Sequence, residues 1–183
     1  ASTTRSRPCV ASASSSPPGS VASRRGDPGL RVSIIRSSSL TAAQRRVITA
    51  AKLGALLRTS ADTLGIPSRS SLALRLTNDA ELRALNARFL SHDEATDVLA
   101  FPAGEPPATR DRRVGDVAIS VERAMFGRGE GATSELRLLA VHGLLHCIGH
   151  DHANSAGAAA MTAATRHLLA SQEVPELEAP DAY

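Results

Sequence analysis

Residues 141–152, VHGLLHCIGHDH, carry four of the six histidines of a 183-residue chain. His142 and His146 stand four apart, which on a helix puts both rings over one face. Zinc takes ligand nitrogens at about 2.0–2.1 Å, so two rings presented this way converge on a single ion. His150 continues the interval arithmetically, yet eight residues of helix rise about 12 Å. Helical side chains all tilt toward the N-terminus and do not lean toward each other along the axis. Gly149 offers the alternative, because a glycine at C′ adopts a left-handed conformation and turns the chain. Asp151-His152 then returns under the helix face, and His142, His146 and His152 form a set of three. Three histidines leave one coordination position open, which is the arrangement of catalytic zinc. His150 reads as a lining or surface residue, and His92 and His167 as members of solvated faces.

The spacing is that of H-E-x-x-H-x-x-G-x-x-H metalloproteases, with Gly143 where their glutamate stands. That carboxylate takes the proton from the zinc-held water, so peptide hydrolysis by the usual route is disfavoured. A water of lowered pKa remains, as does a Lewis acid able to polarise a phosphoryl oxygen, with no protein base assigned. Weak candidates for that base are Asp97, Asp116 and Asp151; Asp151 also suits a role in orienting a ring. Cys147, next to His146 on the helix, points about 100° away from it and reads as a core thiol.

Net charge is +3, almost all of the positive side is arginine, and the aromatics are one tyrosine and three phenylalanines. The core is therefore aliphatic. Two cysteines form no disulfide framework, which favours a reducing compartment. No apolar run is long enough to cross a bilayer. Residues 1–29 are rich in Ser, Ala, Pro and Arg, with Asp27 their first acid. Such a stretch cannot bury enough surface to order itself, and its composition is that of an organelle transit peptide. A globular domain is expected over 30–175, followed by a tail over 176–183.

Within the domain, LRVSIIR (30–36), SLALRLT (71–77), TDVLAFP (96–102) and VGDVAISV (114–121) read as strands. A helix is expected from Leu40 to Leu64, ended by Gly65 and Pro67. A second runs from an Asn78 or Thr77 cap to about Phe89, a third from a Thr133 or Ser134 cap through the histidines, and a last over 155–171. Strands and helices mix without a clean βαβ alternation. The expected fold is one compact α/β (α+β) domain, a small mixed sheet flanked by helices, with the metal at the end of a central helix.

HGLLHCIGHDH (142–152) resembles the H-G-x-L-H-x-x-G-x-D-H signature of the YbeY family of zinc-dependent endoribonucleases. LNARFLSHDEATDVLAFP (85–102) looks like that family's L-N-x-x-[YF]-x-x-x-D-x-x-T-D-V-L-S-F-P segment. VGDVAIS (114–120) is similar to its L-G-D-I-x-I-S strand, and Met161 falls where the family places a methionine. The resemblance runs from about residue 34 to 175. It implies one zinc ion on His142, His146 and His152, and action on single-stranded RNA in ribosomal RNA maturation and ribosome quality control, notably at the small-subunit 3′ end. The small ribosomal subunit or its proteins are the implied partners. With a transit peptide in front, chloroplast stroma is the expected location and mitochondrion the alternative. Many members carry an arginine just after the aromatic of the upstream block; here it is Leu90. Arg88 lies on the same side if that stretch is extended and would then substitute. The final helix also lacks the acidic residues common there.

With few aromatics for base stacking, RNA contacts fall to arginines: Arg83, Arg88 and Arg123, with Arg110, Arg112 and Arg113. Two rival readings remain at this stage. One is a ribosome-assembly factor whose metal is structural, and the other a zinc peptidase or small-molecule hydrolase.

Overall fold

A computed structural model describes residues 29–104, 112–152 and 154–170. The transit-like stretch up to residue 28, the tail over 176–183 and Arg110 lie outside them. Ten elements follow in order: β1 (Arg31–Arg36), α1 (Ala42–Ala51), α2 (Leu53–Thr63), β2 (Ser71–Thr77), α3 (Asp79–Leu90), β3 (Val98–Pro102), β4 (Arg113–Ser120), α4 (Val121–Met125), α5 (Ala132–Cys147) and α6 (Ser155–Leu169). The four strands form one mixed sheet in the order β1-β2-β4-β3. β1, β2 and β4 run parallel, and β3 pairs antiparallel on β4. The α/β class and the mixed sheet expected from the sequence are what the chain forms.

Alternation along β2 and β4 decides which face each residue serves. Leu72, Leu74 and Leu76 share a buried cluster with Val117, Ile119 and residues of α1, α2 and α5. Ala118 and Leu99 turn to the opposite face, where Leu82 of α3 closes a smaller cluster with Leu85 and Phe101. The sheet is thus covered fully on one side and partly on the other. α5 is the centre of the larger layer: Leu136, Ala140, Val141, Leu144 and Leu145 are completely buried. A helix apolar on every side is one surrounded by protein, and only its ends meet water.

The long helix expected from Leu40 to Leu64 breaks at Lys52, whose φ of 48° is left-handed. Burial gives the reason. Ala51 and Leu53 are both buried, yet in an unbroken helix residues two apart point about 200° away from each other. The break brings both into one core. Thr41 caps α1 in a reciprocal capping box with Gln44. Asn78 rather than Thr77 caps α3, its side chain accepting from Glu81 N–H. α5 starts at Ala132, behind a short 3-10 turn, with no side-chain cap. The Thr133 or Ser134 cap is therefore corrected: the tight turn at Gly129–Gly131 leads the chain straight into the helix. α4 was not legible beforehand; Ser120 caps it from the end of β4.

Gly143 is where α5 crosses the sheet. A Cβ at this position would meet Val117 Cγ1 at 2.5 Å and Cγ2 at 3.0 Å. Residue 143 faces β4, and a glutamate has no room there. Gly143→Ala is expected to lower unfolding stability by about 1–3 kcal/mol, the usual cost of overpacking a filled core. Urea unfolding measures it, and Val117→Ala in the same chain should recover part of the loss. An unchanged midpoint would show that the helix–sheet contact is looser than described.

Candidate metal centre

The rings of His142 and His146 leave α5 from successive turns, and their Nε2 atoms lie 3.2 Å apart. Two nitrogens on one tetrahedral zinc are separated by about 3.3 Å, so this spacing already suits a shared ion. Beyond Cys147 the helix closes as the spacing predicts. Gly149 has φ +92°, its N–H donates to His146 O at 3.1 Å, and His150 N–H donates to Leu145 O at 3.0 Å. These paired bonds make a Schellman motif with Gly149 at C′. The reversed chain brings the His152 ring centroid to 5.0 Å from that of His146 and 5.8 Å from that of His142. One nitrogen from each of the three rings falls within 4.8 Å of the others. The donor set fits a metal ion with a preference for imidazole: three neutral nitrogen ligands, with the rest of the coordination sphere open to the cleft.

Electrostatics support that use. Burial, and next the neighbouring rings of His146 and His152, push the His142 imidazole down to about 4. His146 is also lowered, first by burial and then by His152. Both rings are therefore held in the neutral, metal-binding form. Cys147 is not part of the set. Its thiol lies against β4, where a Cβ on Gly115 would meet Cys147 Sγ at 2.6 Å. Burial, with Asp116 adding to it, pushes that thiol up to about 12, as expected of an inert core cysteine.

The histidines open into a cleft of about 610 Å³. Leu90 stands on one wall, and β3 with the preceding Thr96 and Asp97 forms another; His150 and Asp151 lie at the rim. Asp97 Oδ1 accepts from Val98 N–H at 2.7 Å and from the Thr96 hydroxyl at 3.2 Å. Asp116 is elsewhere. Strand alternation turns it to the other face of the sheet, where it pairs with Arg113 and lines a separate groove. It does not approach the histidines, so the expectation that it does is corrected. His150 lines the cleft, while His92 and His167 are exposed.

The arginines lie differently from expectation. The segment carrying Arg88 and Leu90 is helical, so two residues put them on nearly opposite sides rather than the same one. Arg88 sits 5.1 Å over the Phe89 ring and lines no part of the cleft, whereas Leu90 does. Arg83 makes a two-point pair with Asp93, at 2.7 and 2.8 Å. Arg123 lies 3.3 Å from Asp79. Among the described residues, none of Arg83, Arg88 or Arg123 is brought into the histidine cleft. Leu90, singled out in the sequence, is one wall of the cleft; the β3 edge was missed as the other, since which strand ends the sheet is a matter of tertiary pairing.

Residues 39–173 match the model of the family described as Endoribonuclease YbeY. An endoribonuclease YbeY of Chelativorans sp. is 42% identical over 111 residues, covering 57% of this chain and 68% of that protein. One from Rhodopseudomonas palustris is 38% identical over 127 residues, covering 66% and 67%. Another, from Moorella thermoacetica, is 38% identical over 130 residues, covering 64% and 83%. A solution structure of a Thermotoga maritima protein aligns over 81% of this chain and 99% of its own, at 17% identity and a TM-score of 0.47.

The depressed His142 value gives a pH test of the metal-free protein. Above about pH 6.5 the ring is neutral in both folded and unfolded chains. Between there and about 4, the unfolded chain takes up a proton that the folded ring refuses. Stability conferred at neutral pH is therefore lost as pH falls through that window. In the presence of chelator, the melting temperature of the wild type should drop more between pH 7 and 4.5 than that of His142→Asn. Equal drops would contradict the burial of this ring.

Proposed function

This chain belongs to the YbeY family of endoribonucleases, and from that premise we propose that it is a zinc-dependent, single-strand-specific ribonuclease of ribosomal RNA processing. The observation that carries the reading is the cluster of His142, His146 and His152 within 4.8 Å, opening onto a cleft. Those three rings would hold the ion, which supplies Lewis acidity toward a phosphate oxygen and lowers the pKa of a water molecule. The chain's own residues then position the substrate and move the proton. Two acidic side chains line the cleft, Asp97 and Asp151. Asp97 is our choice of proton acceptor, because the Val98 N–H and the Thr96 hydroxyl fix its carboxylate in place. Attack by water and attack by the RNA's own 2′-hydroxyl are told apart by their products, since only the second leaves a cyclic phosphate.

Charge supports a need for the metal beyond chemistry. Among the described residues that line the cleft there is no lysine or arginine, only two aspartates and the four histidines. A polyanion is repelled from such a surface until a divalent cation neutralises it. The peptidase reading loses ground for a steric reason: position 143, where a protease places its base, is packed against Val117. The alternative of an assembly factor with a structural metal rests on Leu90. We propose the small ribosomal subunit as the particle that presents the RNA, in a role in ribosome quality control, and the chloroplast stroma as the compartment, with mitochondrion second. The support for the compartment is the Ser-rich, Arg-bearing, acid-poor composition of residues 1–29.

Metal-free protein should leave a labelled single-stranded RNA intact, cleave it when zinc is restored, and lose cleavage again on chelation. His146→Ala should stay at least about 100-fold below the zinc-restored wild type under every condition, because removing a ligand removes the chemistry as well as the ion. Wild type that binds one metal yet never cleaves would move the reading to the assembly factor. Fused to a fluorescent protein, residues 1–29 should direct import into isolated chloroplasts. Uptake by mitochondria alone would reassign the compartment.

A further inference from the structure

β3 ends the sheet among the described residues, and its free side runs along the histidine cleft: Val98, Ala100 and Pro102 all contribute to the wall. The pairing register shows which backbone groups point there. Ser120 N–H donates to Asp97 O at 2.8 Å, and Ala103 N–H donates to Val114 O at 3.2 Å. Residues 97 and 103 are therefore in hydrogen-bonded pairs with β4, and by antiparallel alternation so are 99 and 101. The N–H and C=O groups of residues 98, 100 and 102 face outward. Val98 N–H is engaged by Asp97 Oδ1, and proline has no N–H. Among the described residues, what remains on the edge is three carbonyl acceptors, at Val98, Ala100 and Pro102, and one donor, Ala100 N–H.

That composition selects its occupant. A peptide strand adding to the edge alternates donors and acceptors and needs both kinds from the wall. This edge has one N–H left of three. RNA brings a hydroxyl donor on every sugar, the group by which a protein tells it from DNA. Its phosphates need donors that the cleft's side chains do not supply as cations. We infer that the free edge of β3 grips the ribose-phosphate backbone beside the reacting bond. Ala100 N–H donates to a phosphate oxygen, and the Val98 and Ala100 carbonyls accept from 2′-hydroxyls of the flanking nucleotides. This inference rests on the ribonuclease reading and adds to it the source of backbone positioning and of sugar selectivity.

Ala100→Pro is the test, because it deletes an N–H that the sheet does not use, and proline is tolerated on an edge when its missing donor faces outward. The zinc-loaded variant should keep one metal per chain and a melting temperature within a few degrees of wild type. Its KM for single-stranded RNA should rise about tenfold, the ordinary worth of a hydrogen bond to a charged group. Replacing single 2′-hydroxyls by hydrogen on the flanking nucleotides, away from the bond cleaved, should raise KM for the wild type in the same direction. Should the proline variant fold poorly, amide exchange of wild-type Ala100 serves instead: a short RNA cleavage product in excess should slow it. Ala100→Pro that is folded, metal-loaded and unchanged in KM would overturn the inference while leaving the ribonuclease reading standing. So would exchange at Ala100 slowed by an extended peptide and not by RNA. Wild type that cleaves no RNA at all would instead remove the reading on which both rest.

Discussion

Everything at the candidate metal centre depends on how closely α5 lies on β4. Gly143 permits that approach, since even a methyl group there would overlap the Val117 side chain. A helix seated this deep has an apolar middle, so its polar groups gather in the first turns, from Thr133 to Arg137, and in the last ones. His142 and His146 lie there, where burial of α5 ends. The same seating puts their rings beside β3, the strand that ends the sheet, and so the cleft is formed by a helix end and a strand edge. The glycine that replaces the protease glutamate is thus a packing requirement of this fold.

The second constraint is the turn at Gly149. A left-handed residue with paired backbone bonds to His146 and Leu145 reverses the chain within a few residues. His152 returns to the other two rings and His150 does not join them. His142 and His146, both lowered first by burial and then by neighbouring rings, are suited to an ion and poorly suited to acid–base work of their own. Asp97, whose Oδ1 accepts from Val98 N–H and the Thr96 hydroxyl, lines the same cleft, as does Asp151.

The clustering of the three histidines and the turn beneath them were legible because they are local: an i, i+4 pair and a C′ glycine are defined by a dozen residues. The strands were legible for the same reason, since alternation in SLALRLT and VGDVAIS is a property of each segment. What was not legible is what two distant segments decide together. The break at Lys52 follows from the demand that Ala51 and Leu53 share one core, and nothing in the local sequence announces it. Asp116 was misplaced because strand parity decides its face, and parity is set by which neighbour lies above the sheet. Arg88 does not take the place of Leu90 because α3, expected to about Phe89, runs on through Leu90, and a helix turns residues two apart to nearly opposite sides. The arginines thought to meet RNA largely meet carboxylates, a consequence of tertiary packing that composition does not contain.

In the proposed centre three histidines, and no cysteine, hold one ion with a position left open. X-ray absorption at the zinc edge of the reconstituted protein measures this directly. Three imidazole nitrogens at about 2.0–2.1 Å are expected, with an oxygen completing the shell. A sulfur scatterer at about 2.3 Å, or fewer than three imidazoles, would contradict it.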